Sequence, residues 1–365
     1  MSRLGVHQFL ATLLPGDATG QHAFGIRKCL REAGWHSEIF AEAVHDDLVG
    51  EARYFTDYAA AASPGDVLIY QMTTATPVSA FLAARKEPLI VDYHNVTPPE
   101  LYARWEPAVA QRNRYAREEL AQLAQRSTVG VGDSELNRSE LEDVGFKRTG
   151  VLPLLIDLNR LDAADTEALA ELQRHKLSGG TDLLFVGRLV PNKAQHDLVK
   201  ALWVYRRYFD PDARLWLLGR PSCAPYASAL ASLVADLGLR DAVQFRLEAS
   251  DAVLAAYYRA ADLFVCASEH EGFCIPILEA MYSKLPVVAY ASSAIPETLQ
   301  NAGVLLESKS AAMMAAAFDY ICSRRKEFLS ALEPAMRARV DAFSIERAKA
   351  SVLDLVNEVA QEMPR

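Results

Sequence analysis

The feature that most constrains the fold of this chain is a regular alternation of short β-rich runs with segments of helical periodicity. In the first half, the strand candidates are residues 5–10, 37–41, 66–72, 88–94 and 127–132, and the helix candidates include Gln21–Ala33 and Val109–Arg126. Such alternation is typical of a mostly parallel sheet with helices on both faces. The first half is therefore predicted to form one doubly wound α/β lobe.

The same alternation restarts after Gly179 and Gly180. The strand candidates there are residues 182–187, 213–219, 242–245, 262–268 and 286–291, with helix candidates near 194–208 and 226–237. A chain of 365 residues is also too long for a single hydrophobic core. We therefore expect two Rossmann-like lobes, residues 1–160 and 182–344, joined by a linker at 161–181.

Composition narrows the classes of function. The formal net charge is −9 at pH 7, whereas proteins that hold nucleic acid through a general surface carry a cationic field. No stretch reaches the roughly 20 apolar residues of a spanning helix, and the N-terminus lacks a signal-peptide layout. The five cysteines are scattered and show no metal-ligand spacing. We expect no nucleic-acid partner and a reduced, cytoplasmic setting.

The stretch HEGFCIPILEA places two carboxylates, Glu271 and Glu279, in an otherwise apolar run. Because burying an unpaired carboxylate is costly, a polar partner is expected to face them. Pro276 suits the first position of a helix, so Glu271 lies in the preceding loop and Glu279 about one turn inside the helix. The backbone amides between the two glutamates belong to Gly272, Phe273 and Cys274. The alternative is an ordinary capped helix, in which the two glutamates only interact favourably with the positive N-terminal end of the helix dipole.

A second polar cluster lies in VGRLVPNKAQHDL, where Arg188 follows a strand candidate and Lys193 precedes a helix candidate. Two cations beside a helix N-terminus form an anion site, although the same pattern fits two solvated surface cations. Ligands bind open parallel sheets beyond the carboxyl ends of the strands, where both clusters are placed. A sugar nucleotide offers a diphosphate to the cations and vicinal hydroxyls to the carboxylates.

Carboxylates also allow a glycosidase-like site or a metal site. A glycosidase-like acid and base pair requires two carboxylates that flank one bond, about 5 to 9.5 Å apart, and nothing in the sequence requires that geometry. The one DxD pattern, Asp210 to Asp212 in FDPDARL, precedes a strand candidate instead of following one. It is therefore predicted to be a surface turn and not a metal site.

Three segments resemble one known family. GRLVPNKAQHDLVKAL, LWLLG and AAYYRAADLFVCASEHEGFCIPILEAMYSKLPVVAYASSAIPETLQNAGVLL, within residues 182–306, are similar to the carboxyl-terminal lobe of the family-4 retaining glycosyltransferases (group 1 glycosyl transferases) of the GT-B fold. HQFLATLLPGDATGQH, VDYHNVTPPELY and VGDSELNRSELEDVGF resemble the amino-terminal lobe more loosely. The resemblance implies an acceptor-side lobe, residues 1–160, and a donor-binding lobe, residues 182–344, that face a central cleft. It also implies a C-terminal helix, residues 345–365, that crosses back to the first lobe.

The resemblance also implies roles for individual residues. Arg188 and Lys193 match residues that hold the donor diphosphate. Glu279 matches a glutamate that binds the ribose hydroxyls, and Glu271 matches one that contacts the transferred sugar. His94 resembles a histidine that faces the donor sugar, either through its ring or through its main-chain carbonyl; a structural role at a strand end is the alternative.

Some positions depart from the family pattern. In PGDATG, Gly16 would let backbone amides approach a phosphate or the acceptor, or it forms a simple tight turn. Asp17 stands where relatives often have a second glycine, so it and Thr19 are candidate acceptor contacts. Cys274 and Leu247 also replace frequent glycines, the second near the expected base pocket.

The resemblance implies transfer of a hexose-type sugar with retention of configuration, no metal, and no cofactor besides the nucleoside-diphosphate sugar itself. The acceptor would be a hydroxyl of a glycan or a lipid-linked molecule, in cell-surface polysaccharide synthesis. Residues 100–126, with Trp105, could touch a membrane surface, but Val109, Ala116, Leu120 and Leu123 form one stripe that favours a solvated amphipathic helix. A non-catalytic sugar-nucleotide-binding scaffold and a GT-B epimerase are the alternative functions, and the oligomeric state is open.

Overall fold

A computed structural model of the chain describes residues 5–176 and 179–362. The chain forms two compact units, which we describe separately. The first contains the chain up to Pro99, residues Ala108–Ile156 and the chain from Phe343 onward. The second contains Glu100–Pro107 and Asp157–Ala342.

Strands and helices alternate through both units. The strands are β1 (Val6–Leu13), β2 (Ile39–Val44), β3 (Arg53–Tyr54), β4 (Val67–Met72), β5 (Leu89–Tyr93), β6 (Val129–Gly132), β7 (Thr149–Val151), β8 (Asp182–Val186), β9 (Arg214–Leu218), β10 (Val243–Arg246), β11 (Leu263–Cys266), β12 (Val287–Tyr290) and β13 (Val304–Leu306). The α-helices are α1 (Ala18–Glu32), α2 (Tyr58–Ala61), α3 (Pro77–Ala83), α4 (Glu100–Ala103), α5 (Pro107–Ala124), α6 (Glu135–Asp143), α7 (Thr166–Lys176), α8 (Gln195–Tyr208), α9 (Ala224–Asp236), α10 (Asp251–Ala260), α11 (Ile275–Tyr282), α12 (Ile295–Leu299), α13 (Ala311–Cys322), α14 (Arg325–Ala342) and α15 (Ile345–Gln361).

The first unit is built on a seven-stranded sheet in the order β3-β2-β1-β4-β5-β6-β7. Every strand pair in it is parallel. β4 and β5 are buried along their whole length, as expected for parallel strands that are covered on both faces. The predicted α/β architecture is confirmed for this unit.

The last helix completes the core of the first unit. The buried side chains of α15 are Ala348, Val352, Val356 and Val359, which recur at a spacing that puts them on one face of the helix. They pack in a cluster with Val6, Ile26, Val67 and Ile90 from β1, α1, β4 and β5.

The second unit is built on a six-stranded parallel sheet in the order β10-β9-β8-β11-β12-β13. Chain order runs outward from β8 in one direction and from β11 in the other. The crevice beyond the carboxyl ends of two such strands is the usual ligand site of an open α/β sheet. In the first unit the corresponding strands are β1 and β4.

The described residues of the segment expected to be a linker, 161–176 and 179–181, belong to the second unit. It contains α7, which packs against α10. A 3-10 helix, Leu158–Leu161, lies just before it and contacts both α10 and α11. The polar composition of this stretch suggested a connection, but its apolar side chains Leu158, Leu161 and Leu172 are buried.

Candidate active site

A buried ion pair of the second unit joins Lys193 to Glu271. Lys193 ends a short 3-10 helix, Pro191–Lys193, between β8 and α8, and Glu271 lies in the loop between β11 and α11. The ammonium nitrogen is 2.6 Å from each carboxylate oxygen of Glu271. Because β8 and β11 are paired neighbours, their following loops meet at the same edge of the sheet. The two sequence clusters are therefore brought together there.

The surroundings of this pair favour the charged form of Lys193. Burial disfavours the ammonium form of Lys193, but the neighbouring carboxylate of Glu271 outweighs it and raises the pKa of the lysine. The side chains are 17% and 7% exposed, respectively. The lysine is thus kept in its ammonium form by the carboxylate beside it.

Backbone and side-chain hydrogen bonds fix the two loops to each other. The Glu269 N–H donates to the Asn192 carbonyl at 2.7 Å, and the Asn192 amide donates to the His270 carbonyl at 3.1 Å. Asn192 is 5% exposed, so both contacts are shielded from water. The geometry of the Lys193–Glu271 pair is therefore set by its supporting loops.

Arg188 follows β8 as predicted, and its side chain is exposed. Its carbonyl accepts a hydrogen bond from the Gln195 side chain at 2.8 Å, which ties the loop to the start of α8. The preceding Gly187 lies so close to Gly219 that a Cβ on Gly219 would stand 2.2 Å from the Gly187 oxygen. The arginine thus projects from a tightly built turn.

Cys274 precedes the first residue of α11 in a left-handed conformation. Its φ is +76° and ψ is +67°, a region that residues with a Cβ enter at a cost. The helix begins at Ile275, so Pro276 occupies its second position and not the first as predicted. Gly272 is half-buried, and Phe273 and Cys274 are buried. The turn leads from Glu271 directly into α11.

Replacing Cys274 by glycine is expected to give a more stable protein than replacing it by alanine, by about 1 kcal/mol, because only alanine retains a Cβ at positive φ. Urea unfolding of the two variants measures the difference. The same pair of substitutions at Cys266, within β11, is the control and should favour alanine. Equal stability of the two Cys274 variants would contradict the strained conformation.

Glu279 lies on α11 and is 3% exposed. Its Oε2 accepts a hydrogen bond from the Tyr258 hydroxyl at 2.7 Å, and its Oε1 contacts the guanidinium of Arg160. Burial raises the pKa of Glu279, and the charge of Arg160 opposes that rise. The sequence prediction did not include Arg160, because it lies beside the segment interpreted as a linker.

A groove of about 720 Å³ lies beside the carboxyl ends of β9 and β10. It is lined by Arg220, Pro221, Phe245, Arg246, Leu247 and Glu248. Leu247 is 48% exposed, and the Arg220 and Glu248 side chains form an ion pair at 3.3 Å. The Arg220 carbonyl accepts a hydrogen bond from the Leu189 N–H, so the groove adjoins the Arg188 turn.

In the first unit, His94 follows β5 and belongs to a buried polar network. Its Nδ1 lies 3.0 Å from an Asp133 oxygen, and its Nε2 contacts the Gln71 side-chain oxygen. Gln71 uses its nitrogen to donate to Gln8 at 3.2 Å, so its oxygen is left to accept. Both ring nitrogens of His94 therefore donate, and the ring is an imidazolium.

The charge of His94 follows from its neighbours. Burial works against the cation, but Asp133 and then Asp92 outweigh it and raise the pKa of His94 to about 9, with a smaller contribution from Asp17. The side chain is 6% exposed. In the sequence, Asp92 stands inside the apolar strand PLIVDYH, and a buried carboxylate of this kind indicates that a cation lies beside it.

His22 extends this network and was not predicted. The Leu155 N–H donates to its Nδ1 at 2.9 Å, so the proton of the neutral ring is on Nε2. That Nε2 donates to Asp92 Oδ2 at 3.0 Å. His22 and His94 thus contact one carboxylate, which is fully buried.

The PGDATG segment forms the turn between β1 and α1. Gly16 is exposed with φ +70°. The Asp17 side chain caps α1 by accepting a hydrogen bond from the Gly20 N–H at 3.3 Å. Thr19 is half-buried in the first turn of α1. The capping role accounts for Asp17, and the acceptor role of Asp17 and Thr19 remains a prediction.

Two groups of described side chains hold potential metal-ligand atoms within 4.8 Å of one another, His22 with Asp92 and His94, and Cys266 with Glu271 and Cys274. Protein donors already contact both groups, through the histidine protons and through Lys193. The expectation that no metal is needed remains a prediction.

The DxD pattern lies in a turn, as predicted. Its first carboxylate, Asp210, accepts a hydrogen bond from the Thr181 N–H at 2.7 Å.

Residues 100–126 contain the short helix α4 and the longer helix α5, which buries Ala116, Leu120 and Leu123 in the first unit, as the amphipathic stripe predicted. Val109 is only half-buried. Trp105 packs edge-on against Tyr226 in the second unit, with ring centroids 5.2 Å apart. Among the helices described here, none has the length and apolar character that crossing a membrane requires.

Comparison with known proteins gives a family match. Residues 171–338, which lie in the second unit, match the family model of the glycosyl transferases group 1. The D-inositol 3-phosphate glycosyltransferase of Geodermatophilus obscurus is 32% identical over 258 residues, 67% of this chain and 55% of that protein. The GDP-mannose-dependent alpha-(1-6)-phosphatidylinositol monomannoside mannosyltransferase of Mycobacterium tuberculosis is 34% identical over 169 residues, 44% of this chain and 43% of that protein. The chain thus spans about half the length of these relatives.

Solved structures agree on the fold. Anabaena Alr3699/HepE in complex with UDP-glucose superposes with a TM-score of 0.79 at 19% identity, over 97% of this chain and 99% of that one. Sucrose-phosphate synthase from Thermosynechococcus elongatus gives a TM-score of 0.79 at 19% identity, over 99% of this chain and 100% of that one. Together these findings show that the chain belongs to the glycosyl transferases group 1 family and has the GT-B fold.

Proposed function

We propose that this protein transfers a hexose-type sugar, with retention of anomeric configuration, from a nucleoside-diphosphate sugar to a hydroxyl of a glycan or lipid-linked acceptor. The observation that carries the proposal is the Lys193–Glu271 pair, which joins the loops after β8 and β11, with Arg188 on the first of these loops and Glu279 on the helix that follows the second. These residues supply cations for a diphosphate and carboxylates for hydroxyl groups beside the crevice between β8 and β11.

The donor diphosphate is assigned to Arg188 and Lys193. Arg188 offers an exposed guanidinium, whose planar fork suits phosphate oxygens, and Lys193 offers a charged point beside it. As the bond to the sugar breaks, negative charge builds on the diphosphate. Preorganised cations stabilise that charge without reorganising at the moment of reaction.

The two glutamates are assigned to the two ends of the donor. Glu271, in the loop, contacts hydroxyls of the transferred sugar, and Glu279, on α11, binds the ribose. Cys274 and the residues before it form the turn between them. The base is assigned to the groove beside β9 and β10, which adjoins the Arg188 turn.

His94 is assigned a main-chain role toward the donor sugar. Its two ring nitrogens are engaged by Asp133 and Gln71, which leaves the ring no acceptor for a sugar hydroxyl. The main-chain carbonyl is the other group that the family resemblance offers for stabilising positive charge at the anomeric carbon. The network around the ring supports this second assignment because it fixes the residue at the end of β5.

The transfer step needs no reactant besides the donor and the acceptor. The acceptor oxygen forms a bond to the anomeric carbon as the bond from that carbon to the diphosphate oxygen breaks. The acceptor proton passes to the departing diphosphate oxygen on the same face of the sugar. The protein contributes position and charge, and we propose no metal and no general base from a side chain.

The relatives support the proposed donor and acceptor classes. Their names specify inositol phosphate or phosphatidylinositol mannoside chemistry, and one relative uses GDP-mannose. Anabaena HepE binds UDP-glucose. We therefore expect a UDP or GDP donor and a polyol, glycan or lipid-linked acceptor in the synthesis of cell-surface polysaccharide.

The proposal predicts donor binding without acceptor. Wild-type protein in EDTA should be stabilised by one of the UDP-, GDP-, dTDP- or ADP-sugar series, by about 2.7 kcal/mol at one hundred times the Kd. Slow hydrolysis of that donor should accompany the stabilisation. Glu279→Ala and the isosteric Glu279→Gln should lose most of both signals.

Glu333→Ala, a change on α14 at an exposed ion pair, is the control for nonspecific effects on stability and should retain both signals. Binding that is equally strong in wild type and both Glu279 variants would remove the ribose assignment. Binding without any turnover of donor, even with acceptor present, would favour the non-catalytic scaffold, and a changed sugar stereochemistry without transfer would favour an epimerase.

A further inference from the structure

Arg160 lies in a segment that two helices hold in place. The 3-10 helix Leu158–Leu161 carries it, and the Arg259 guanidinium of α10 donates to the Leu161 carbonyl at 3.2 Å. The Tyr282 hydroxyl of α11 donates to the Asn159 side chain at 3.4 Å. The backbone of Arg160 is therefore anchored independently of its own side chain.

The guanidinium of Arg160 joins two carboxylates. One terminal nitrogen contacts Glu279 on α11, and the other contacts Asp251 in the first turn of α10. The side chains of Arg160 and Glu279 are 19% and 4% exposed, whereas the side chain of Asp251 is 51% exposed. The buried end of this bridge is the carboxylate to which the proposed function assigns the ribose.

The contacts leave acceptor capacity on Glu279. An ionised carboxylate offers about four lone-pair sites, two on each oxygen. Arg160 takes one site on Oε1 and the Tyr258 hydroxyl takes one on Oε2. Within the described parts of the chain these two donors leave one site on each oxygen, which is the number that two vicinal hydroxyls of a ribose require.

We propose that Arg160 is a positioning residue for nucleotide recognition, which holds the Glu279 carboxylate ionised and oriented so that it accepts both ribose hydroxyls. This inference rests on the proposed function. It makes the arginine responsible for the preference of the site for ribonucleotides over 2′-deoxyribonucleotides, although it touches neither the base nor the phosphates.

Charge balance supports this role. Of the described side chains, Arg160, the Tyr258 hydroxyl and, farther out, Asp251 influence the Glu279 carboxylate. Burial raises the pKa of Glu279; Arg160 and the Tyr258 hydrogen bond lower it, and Asp251 raises it. Without Arg160, only the hydrogen bond from the neutral Tyr258 hydroxyl would oppose the rise that burial causes in the pKa of Glu279. A protonated Glu279 would present a donor where the ribose needs an acceptor.

The test compares Kd values for UDP, GDP and ADP with those for their 2′-deoxy forms, measured by titration calorimetry between pH 5.5 and 8.5. In wild type, the ribonucleotide that binds should be preferred over its 2′-deoxy form. Arg160→Gln should reduce that preference about tenfold at pH 7, because hydrogen bonds to a charged group contribute more than those to a neutral one. It should also move the pH midpoint of the preference to higher pH.

Two further variants separate positioning from a structural effect. Arg160→Lys keeps a cation beside Glu279 but cannot bridge both carboxylates, so it should retain the wild-type pH midpoint and recover part of the preference. Arg259→Gln removes the neighbouring anchor of the same segment without touching Glu279, and it should retain both the preference and the midpoint.

The outcomes distinguish the inference from the proposed function. If wild type binds neither these nucleotides nor dTDP, the proposed function fails. If wild type binds and prefers ribose, but Arg160→Gln shows the same preference and the same midpoint, the role of Arg160 is overturned. An equal loss in Arg160→Gln and Arg259→Gln would also overturn it, since the effect would then belong to the fold of the segment.

Discussion

Lys193→Met is expected to lower the free energy of unfolding by about 3 kcal/mol and to abolish donor turnover. The substitution preserves the apolar stem but leaves the Glu271 carboxylate, 7% exposed, without the cation that lies 2.6 Å from it. Breaking a buried ion pair by removing one partner is strongly destabilising, since an uncompensated charge stays in the interior. Urea unfolding and donor hydrolysis measure the two effects.

The double variant Lys193→Met with Glu271→Gln tells the structural effect from the chemical one. It removes the stranded charge, so it should recover most of the lost stability, whereas turnover should stay absent because the diphosphate still lacks its lysine. Lys200→Met on the exposed side of α8 is the matched control, with a change expected within about 0.5 kcal/mol. A double variant no more stable than Lys193→Met would show that the two residues are not coupled.

Raising the pH from 6.5 to 9 is expected to cost the first unit up to about 3 kcal/mol of stability through His94. The native pKa of about 9 lies above the ordinary value of 6.5, so the folded state binds more protons in this window. The stabilisation is fully present below pH 6.5 and is lost as the pH rises through 9. Each pKa unit corresponds to about 1.4 kcal/mol.

Urea unfolding of wild type and His94→Gln at several pH values checks this expectation. The variant keeps a donor toward Asp133 but cannot titrate, so the slope with pH in this window should largely disappear. His36→Gln is the control, because His36 is a surface histidine with its side chain 54% exposed, and it should leave the slope unchanged. Parallel slopes in wild type and His94→Gln would contradict an imidazolium in the native state.

The sheets could be predicted because parallel strands that are buried on both faces are nearly continuous apolar runs. DVLIYQM and PLIVDYH became β4 and β5 within one or two residues. The short edge strands β3, β7 and β13 were not predicted, since two or three half-exposed residues carry no periodic signal. The first turn of α1 was also not predicted, because Asp17 was interpreted as a loop residue and not as the N-cap of the helix.

The candidate site was predictable where chemistry and chain position coincide. Charged residues directly after strands, such as Arg188 and Glu271, can be placed at a sheet edge from sequence order alone. Their partners cannot be found in this way. Arg160 and Tyr258 meet Glu279 from distant parts of the chain, and His22 meets Asp92 across 70 positions, so only the folded backbone shows the contacts.

The position of α15 has a consequence for how the protein is made. Part of the core of the first unit comes from α15, which follows the whole second unit in the sequence, through Val352 and its neighbours on one helical face. During synthesis, the ribosome therefore completes the second unit before the first, although the first begins the chain. Until α15 emerges, the apolar surface around Val6 and Ile90 stays open to water and to chaperones. The first unit is therefore expected to finish folding after the second unit, which is the reverse of the order in which the two units begin along the chain.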